Sequence, residues 1–441
     1  MTVPHPGARV AVLVAAAGAG WEAEVLDRLE RGGPGLVLAK RCVDLTDLLA
    51  SASTGLASAA VLAVDLPGLD VDSVETLRRD GVGVVVVGGP DDLLGGESDR
   101  LLRLGVSRVL PATGLDPLAD AVLHAGLDAG IDTGRGRSTA PEPADDTGPA
   151  AGEDARENAA PRGRLLAVWG PAGAPGRTTV AVGVAAELAR AGHATFLLDV
   201  DPYGGAVAQH LGVLDEVSGL LAAARSANSG LLDADRLGAY ARQVADGLRV
   251  LTGLPRADRW QEVRPSAFDD LLDVARHLAG HVVLDTGFSL EADASDPFGG
   301  VAPQRNQTTL AAVRSADEVL VVGAADPVGL ARLARGLVEL RDLVPGVRPR
   351  VVVNRTRSSL GWSDREIRGM VEGFVTPLDV HFLPDDRPAA DRALMAGQSL
   401  AETGDSELRA ALTALARAVA GDPAPPAPGR GLRRRRAGRA R

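Results

Sequence analysis

The chain has 441 residues, 45% of them hydrophobic and 24% charged, which indicates a soluble globular protein with more than one domain. Its net charge of −11 is uneven: residues 422–441 carry seven Arg and one Asp, about +6, leaving about −17 elsewhere and arguing against nucleic-acid binding by the whole surface. Cys42 is the only cysteine, which excludes an intrachain disulfide and a multi-cysteine metal site within one chain, and Lys40 is the only lysine.

Short apolar runs alternate with helical patterns over the first 130 residues. We predict strands at 10–14, 36–39, 61–64, 84–87 and 106–110, and helices at 21–31, 44–51 and 117–125. This alternation predicts a parallel, doubly wound sheet, and five units in this length predict a flavodoxin-like layout. The apolar stretch after Arg9 is therefore interpreted as a strand and a small-residue loop rather than a signal peptide.

The first domain resembles the receiver domain of response regulators. Asp65 ends the third predicted strand, where a receiver has its phosphoacceptor, and Pro111 follows the fifth. The acidic pair that holds Mg²⁺ in receivers is replaced by alanines at 15–17, the expected Lys by Leu110 and the expected Ser or Thr by Gly88. A phosphoaspartate would lack charge compensation here. We therefore predict a pseudo-receiver that serves in docking.

The rest of the chain divides by composition. Residues 131–162 lack apolar periodicity and predict a flexible linker between domains at 1–130 and 163–421. Residues 422–441 predict a disordered, Pro- and Arg-rich tail, either solvated or in contact with an anionic membrane or nucleic acid. Before the tail, a helix starting at Asp405 or Ser406 carries an apolar stripe, interpreted as core rather than as a membrane-binding face. No apolar run reaches the roughly 18–20 residues of a membrane helix.

A glycine-rich segment opens the second domain. The sequence Gly-Pro-Ala-Gly-Ala-Pro-Gly-Arg-Thr-Thr at 170–179 follows a predicted buried strand at 165–169 and precedes a helical run at 180–191. Such a turn directs backbone N–H groups and the positive end of the helix dipole at one spot. The segment therefore predicts an anion cradle suited to phosphates.

The second domain resembles the MinD/ParA superfamily of deviant P-loop NTPases, which have a doubly wound, mostly parallel SIMIBI-type fold. Within it, the chain resembles the CpaE-like pilus-assembly ATPases, which also place a degenerate receiver domain first. The elements that carry this resemblance are the glycine-rich segment, Asp-Val-Asp-Pro at 199–202, the strand and turn at 281–287, Val-Val-Val-Asn-Arg at 351–355 and Leu-Pro-Asp-Asp at 383–386. In the loop, Ala172 falls on the family's signature lysine, Arg177 on the Walker lysine and Pro171 on the first glycine of the general pattern.

The resemblance implies ATP as ligand and Mg²⁺ as cofactor. It implies phosphate binding at Gly173, Gly176, Arg177, Thr178 and Thr179. It places the nucleotide base near Asn354, Arg355 and Pro384. It assigns the metal to Thr178, Asp199 and Asp285. Catalytic roles fall to Arg177 and to Asp201, which would orient the attacking water.

Each polar strand end has a simpler interpretation on its own. Asp199, Asp201 and Asp285 could be helix caps or turn formers, and Asn354 a left-handed turn residue. The carboxyl ends of parallel strands are, however, where doubly wound folds bind ligands. Four polar strand ends in the expected order favour a nucleotide site.

The residues of the loop do not decide whether ATP is hydrolysed. Arg177 keeps the charge of a lysine but is longer and forked, and Ala172 cannot reach a phosphate. Losing one such cation costs on the order of 10²–10³ in rate. The sequence therefore predicts ATP or ADP binding without deciding whether ATP is hydrolysed.

Three functions follow from these features. The first is a nucleotide switch that positions or assembles a cell-envelope machine such as Flp/Tad pili, with a nucleotide-dependent homodimer and protein partners in a secretion or pilus machine. The second is a scaffold whose domains have lost their chemistry. The third is a ParA-like partition ATPase that binds DNA, against which the acidic body counts. We expect a cytoplasmic protein, with peripheral contact at the inner face of the cell membrane as an alternative.

Overall fold

The computed structural model describes residues 10–16, 18–30, 35–89, 97–135, 162–213, 217–292 and 304–422. The chain divides into two compact units. Unit 1 comprises Met1–Pro161, Leu221–Tyr240 and Gln261–Ala275, and unit 2 comprises Arg162–Leu220, Ala241–Trp260 and Arg276–Arg441.

Unit 1 contains a five-stranded sheet in the order β2-β1-β3-β4-β5, with every pair parallel. Its strands are β1 (Val10–Ala15), β2 (Leu36–Arg41), β3 (Ala59–Ala63), β4 (Gly83–Gly88) and β5 (Val109–Pro111). The helices between and after them are α1 (Glu22–Glu30), α2 (Leu45–Ala52), α3 (Val71–Arg79), α4 (Glu97–Arg103) and α5 (Leu118–Arg135). This parallel order, with helices between the strands, is that of a doubly wound sheet, as the sequence predicts.

The fifth strand is shorter than predicted, because the N–H of Val106 still closes the turn that ends α4. Gly105 has a φ of +84°, and the Val106 N–H donates to the Leu101 carbonyl at 2.9 Å. A glycine in the left-handed region followed by such a bond is a common helix ending. The backbone of Val106 therefore closes a helix, and β5 begins at Val109.

The helix that follows β5 is longer than predicted, because Gly126 does not end it. A Cβ at Gly126 would lie 3.3 Å from the Ser58 carbonyl oxygen, so the missing side chain permits close packing inside a continuing helix. As a result α5 runs to Arg135, five residues into the predicted linker. The rest of that linker, 136–161, and the tail at 423–441 lie outside the described residues.

Unit 2 contains an eight-stranded sheet in the order β13-β12-β11-β6-β10-β7-β9-β8. Its strands are β6 (Arg164–Trp169), β7 (Thr195–Asp199), β8 (Arg242–Ala245), β9 (Leu248–Leu251), β10 (His281–Asp285), β11 (Glu318–Ala324), β12 (Arg350–Thr356) and β13 (Asp379–Pro384). Every pair is parallel except β8 with β9, an antiparallel hairpin at one edge. A mostly parallel sheet was predicted, whereas this edge hairpin was not.

The helices in this part of the chain begin with α6 (Arg177–Arg190). They continue with α7 (Val207–His210), α8 (Gly219–Asn228), α9 (Ala234–Tyr240), α10 (Pro265–Leu278), α11 (Gln307–Ser315), α12 (Pro327–Leu343), α13 (Asp364–Glu372), α14 (Arg387–Ala396) and α15 (Glu407–Ala420). Of these helices, α9 and most of α8 and α10 belong to unit 1. Short 3₁₀ helices occupy Ala257–Glu262 and Ser358–Leu360. No helix in the described ranges has the length and apolar content to cross a bilayer.

Both faces of the large sheet are covered by apolar cores. On β6, Leu166 and Val168 pack into one core with residues of α6 and α15, whereas Ala167 and Trp169 pack into the other with residues of α12 and α13. Successive strand residues point to opposite faces, so a central strand covered on both sides is apolar throughout. The polar groups of β6 and its neighbours are thereby confined to the strand ends.

The final helix is part of this core. Ser406 caps α15 by accepting from the Arg409 N–H at 3.1 Å. The predicted stripe, which consists of Leu408, Leu412, Leu415 and Val419, is buried to 6% exposure or less. Gly183 of α6 lets Leu412 approach, since a Cβ there would lie 2.6 Å from its Cδ1. The interpretation of the stripe as core is confirmed.

Candidate functional site

Residues 170–176, called the glycine loop below, connect β6 to α6. Gly173 and Gly176 have φ values of +74° and +91°, in the region that favours glycine. Both positions are also closely packed, since a Cβ at Gly176 would collide with the Asn354 side chain and one at Gly173 with the Arg332 guanidinium. Pro171 is buried beside Gly336 of α12.

The first turn of α6 is open to an anion. Gly176 is its N-cap residue and provides no side-chain hydrogen bond. The first N–H groups of a helix have no partner within the helix, and the dipole gives that end a partial positive charge. The glycine loop and the start of α6 thus form the kind of surface that binds phosphates.

Two buried carboxylates stand beside this helix end. Asp199 and Asp285 are the last residues of β7 and β10, paired directly in the sheet register and 1% and 2% exposed. Asp285 forms a hydrogen bond with the Thr178 side chain in the first turn of α6. Asp199 accepts from the Val207 N–H at 3.1 Å, and a Cβ at Gly205 would collide with its carboxylate.

Burial makes both carboxyl groups hard to ionise. It raises the pKa of Asp285 to about 7, with a further increase from the Asp201 charge, while the Thr178 hydrogen bond and Arg177 act in the opposite direction. Burial also raises the pKa of Asp199 well above its usual range, and the charge of Asp285 adds to this effect. Two adjacent buried acids are stabilised as anions by a divalent cation.

The donors available here suit Mg²⁺. A threonine hydroxyl and carboxylate oxygens are hard ligands, and Mg²⁺ is commonly held by one or two carboxylates together with water and substrate phosphates. No group of three or more His, Cys, Asp or Glu that could hold a metal occurs in the described part of the chain. A threonine hydroxyl and two carboxyl groups leave coordination positions for water and phosphate oxygens, so these donors fit a metal that binds together with a phosphate ligand.

Arg177 lies between the glycine loop and Asp201. Its Nη1 is 3.4 Å from the Gly170 carbonyl oxygen and its Nη2 is 3.9 Å from Asp201 Oδ2. Its Nε is buried and has no hydrogen-bond partner among the described residues. A buried donor without a partner is costly, and a phosphate oxygen would satisfy it.

Asp201 is held beside two cations. Its Oδ1 accepts from the Tyr203 N–H at 2.8 Å, and its pKa is raised by burial and lowered by that bond and by Arg177 and Arg305. The Arg305 guanidinium lies 4.3 Å from the centre of the Tyr203 ring, and its Nε is buried without a partner among the described residues. Arg305 is not predicted from the sequence, where its only signal is its place in a polar run just before α11.

A cavity of about 260 Å³ opens beside the start of α6. It is lined by five of the predicted nucleotide-binding residues, namely Gly176, Thr179, Asn354, Arg355 and Pro384. Its further lining comes from Val180, Leu383, Asp385, Asp386, Arg387, Ala390, Asp391, Leu408 and Leu412. The contribution of α14 and α15 to this site is not predicted from the sequence, although their apolar patterns are visible there.

Asn354 connects the cavity to the glycine loop. Its Nδ2 donates to the Pro175 carbonyl at 2.9 Å, and its Oδ1 accepts from the Arg355 N–H at 2.8 Å. The left-handed residue at this strand end is Arg355, with a φ of 58°, rather than Asn354. Recognition of adenine by Asn354 stays a prediction, for which one amide hydrogen and one oxygen lone pair remain.

All predicted site residues lie around the glycine loop and the first turn of α6. Thr178 contacts the carboxylate side through Asp285, whereas the next residue, Thr179, lines the cavity. The Arg177 guanidinium contacts both the glycine loop and Asp201. The site can thus offer amides and arginine to phosphates, oxygens to a hard cation and a partly apolar cavity to a base.

The similarities to known proteins are confined to solved structures. No protein-family model and no curated protein matches the chain. A MinD cell division ATPase from Pyrococcus furiosus matches 59% of this chain and 99% of its own, with 18% identity and a TM-score of 0.47. A ParA family ATPase from Chlorobium tepidum matches 58% and 99%, with 19% identity and a TM-score of 0.48. The septum site-determining protein MinD of Pyrococcus horikoshii, complexed with Mg-ADP, matches 58% and 95%, with 16% identity and a TM-score of 0.46. At these values the likeness assigns neither a family nor an activity to the chain.

Proposed function

We propose that unit 2 binds ATP and ADP together with Mg²⁺ at the start of α6. The observation that supports this most strongly is the hydrogen bond between Thr178 and the buried Asp285, at a helix end that no side chain caps. It joins a phosphate-binding surface to a pair of carboxylates that a cation would stabilise. The adjacent cavity beside Asn354 and Pro384 is the proposed site of the base.

In this proposal Thr178 and Asp285 would hold Mg²⁺, with Asp199 supporting its coordination, and the bound metal would supply charge neutralisation for the phosphates. Arg177 binds phosphate oxygens through its fork and its unsatisfied Nε. Asp201, which is 3.9 Å from Arg177, orients a water molecule towards the terminal phosphate.

We further propose that the chain is a CpaE-like member of the MinD/ParA superfamily that acts as a nucleotide switch for positioning or assembling a cell-envelope machine such as Flp/Tad pili. The support is the order of five sequence elements, four of whose strand ends lie around one loop in unit 2. For unit 1 we propose a pseudo-receiver that docks partners. Its strand order supports a receiver-like fold, while buried alanines at positions 15 and 16 stand at the end of β1, where receivers have acids.

Binding is tested by titration calorimetry of the full chain with ATP or ADP, with and without Mg²⁺. Replacing Thr178 by Val removes the hydroxyl and keeps the shape, so Mg-ATP affinity should fall by about tenfold or more. Thr376→Val, at an exposed position away from the site, is the matched control and should bind as the native protein does. Absence of binding by the native protein would favour the scaffold function. Equal affinities of both variants for Mg-ATP would show that Thr178 is not part of the binding site.

The switch is tested separately by sedimentation velocity. We expect a monomer with Mg-ADP and a dimer with Mg-ATP. A mass that does not change with the nucleotide would contradict a switch based on dimerisation while leaving nucleotide binding intact. Retention of the protein on DNA with the tail deleted, lost at high salt, would favour a partition function instead.

A further inference from the structure

Arg177, Arg305 and the proposed Mg²⁺ are the positive charges so far assigned to the phosphate site. A nucleotide brings several negative charges to a site that already contains Asp199, Asp201 and Asp285. The only lysine of the chain, Lys40, belongs to unit 1, so side-chain compensation in unit 2 has to come from arginine or histidine. Arg177 already interacts with the Gly170 carbonyl and with Asp201.

Arg332 of α12 lies directly against the glycine loop. A Cβ at Gly173 would collide with its Nη1 and would be 3.0 Å from its Cζ. Both residues are exposed, and Arg332 forms no hydrogen bond or ion pair with any residue that the structure describes. A guanidinium placed against exposed loop backbone, without a carboxylate partner, is available to an incoming anion.

Packing of α12 fixes this position. Gly336, four residues after Arg332 and therefore on the same face of the helix, is so close to the loop that a Cβ there would lie 3.0 Å from the Trp169 ring and 3.1 Å from Pro171 Cβ. Leu333 is buried in the core on the same side of the sheet. The helix is thus held against the base of the loop, and Arg332 extends from it to Gly173.

We propose that Arg332 binds the terminal phosphate of the nucleotide and so distinguishes ATP from ADP. This inference rests on the nucleotide site proposed above. The base cavity is lined by Gly176 and Thr179, whereas Gly173 is in the first half of the loop. A phosphate chain that extends from the cavity along the loop ends near Gly173 and the guanidinium, which can bind phosphate through two parallel hydrogen bonds.

The test compares the affinities for Mg-ATP and Mg-ADP in the full chain. Arg332→Gln should weaken Mg-ATP binding by about tenfold or more and Mg-ADP binding by less than about twofold. Arg332→Lys should give an intermediate loss for Mg-ATP, because a point charge replaces a fork. Arg335→Gln is the matched control, since Arg335 is also exposed on α12, three residues further on.

The outcomes separate this inference from the function on which it rests. A selective loss of Mg-ATP affinity in Arg332→Gln, with Arg335→Gln unchanged, supports it. Equal affinities in the two variants, or an equal loss for ATP and ADP in Arg332→Gln, overturn it while the nucleotide site stands. Absence of nucleotide binding by the native chain overturns both.

Discussion

Replacing Asp285 by Asn should stabilise unit 2 at alkaline pH. The variant keeps an oxygen that can accept from Thr178 but removes a charge that burial disfavours. The pKa of Asp285 rises from 3.8 to about 7, and each pKa unit corresponds to about 1.4 kcal/mol, so ionising it in the folded protein costs roughly 4 kcal/mol relative to the unfolded chain. The neighbouring Asp199 benefits in the same direction, because the Asp285 charge raises its pKa too.

The sign of the pH dependence follows from linkage. Because the folded pKa is raised, the folded protein binds more protons than the unfolded chain between pH 3.8 and about 7, and native stability is lost as the pH rises through that window. The Asn variant has no such loss. Its advantage over the native protein should therefore grow by about 2 kcal/mol between pH 5.5 and 8, or roughly 5 °C in Tm.

Urea unfolding followed by tryptophan fluorescence measures this difference. Trp169, Trp260 and Trp362 belong to unit 2, so a Trp21→Phe background restricts the signal to that unit. Asp342→Asn, at an exposed position on α12, is the control. Its free energy of unfolding relative to the native protein should be the same at both pH values. If Asp285→Asn is no more stable than the native protein at pH 8, or its advantage is the same at both pH values, the account of this buried carboxyl is wrong.

Two further predictions concern ligand binding. Affinity for Mg-ATP should rise between pH 6 and 8, because the metal requires ionised Asp285, whereas affinity for ATP without Mg²⁺ should change less; a flat calorimetric profile with Mg²⁺ would argue against this ligand. Gly176→Ala should abolish nucleotide binding, because its φ is +91° and the added Cβ would collide with Asn354, whereas Gly192→Ala, with a φ of +95° and open space around it, should bind normally. Each substitution should cost about 1–3 kcal/mol of stability from backbone strain, measured in the same urea titration, so loss of binding in both would point to strain alone.

Much of the fold can be predicted from the sequence because its central strands are covered on both faces. The runs at 165–169 and 282–284 are apolar throughout. The first leads into the glycine loop and the second ends at Asp285, so both the strands and their functional ends are visible. The edge hairpin cannot be predicted in this way, because Arg242–Ala245 is short and half exposed and has no clear alternation of apolar and polar residues. Its position depends on pairing with β9 across Gly247 rather than on local pattern.

The ends of the elements were harder to predict, because a glycine can either end a helix or allow close packing inside one. At Gly105 a positive φ ends a helix, whereas Gly126 lies inside one and serves close packing. The letters alone do not distinguish these cases. The start of α6 was also predicted late, at Val180 instead of Arg177, because the polar residues of its first turn face the loop and the carboxylates rather than the core.

Some residues of the site can be predicted from the sequence and others cannot. Asp199, Asp285 and Asn354 are predictable since each stands at a strand end in a recognisable order. Arg305 and Arg332 are brought to the site by tertiary packing, Arg332 through the close contact of its helix with the glycine loop. Apart from the polar run around Arg305, no local pattern marks either arginine.

The central claim is that the start of α6, the carboxylates and the cavity form one nucleotide site. A crystal structure with Mg²⁺ and a non-hydrolysable ATP analogue tests it most directly. We predict phosphates on the backbone amides of the glycine loop, Mg²⁺ between Thr178 and Asp285, and the base between Asn354 and Pro384. An analogue bound elsewhere, or none bound at millimolar concentration, would contradict the claim.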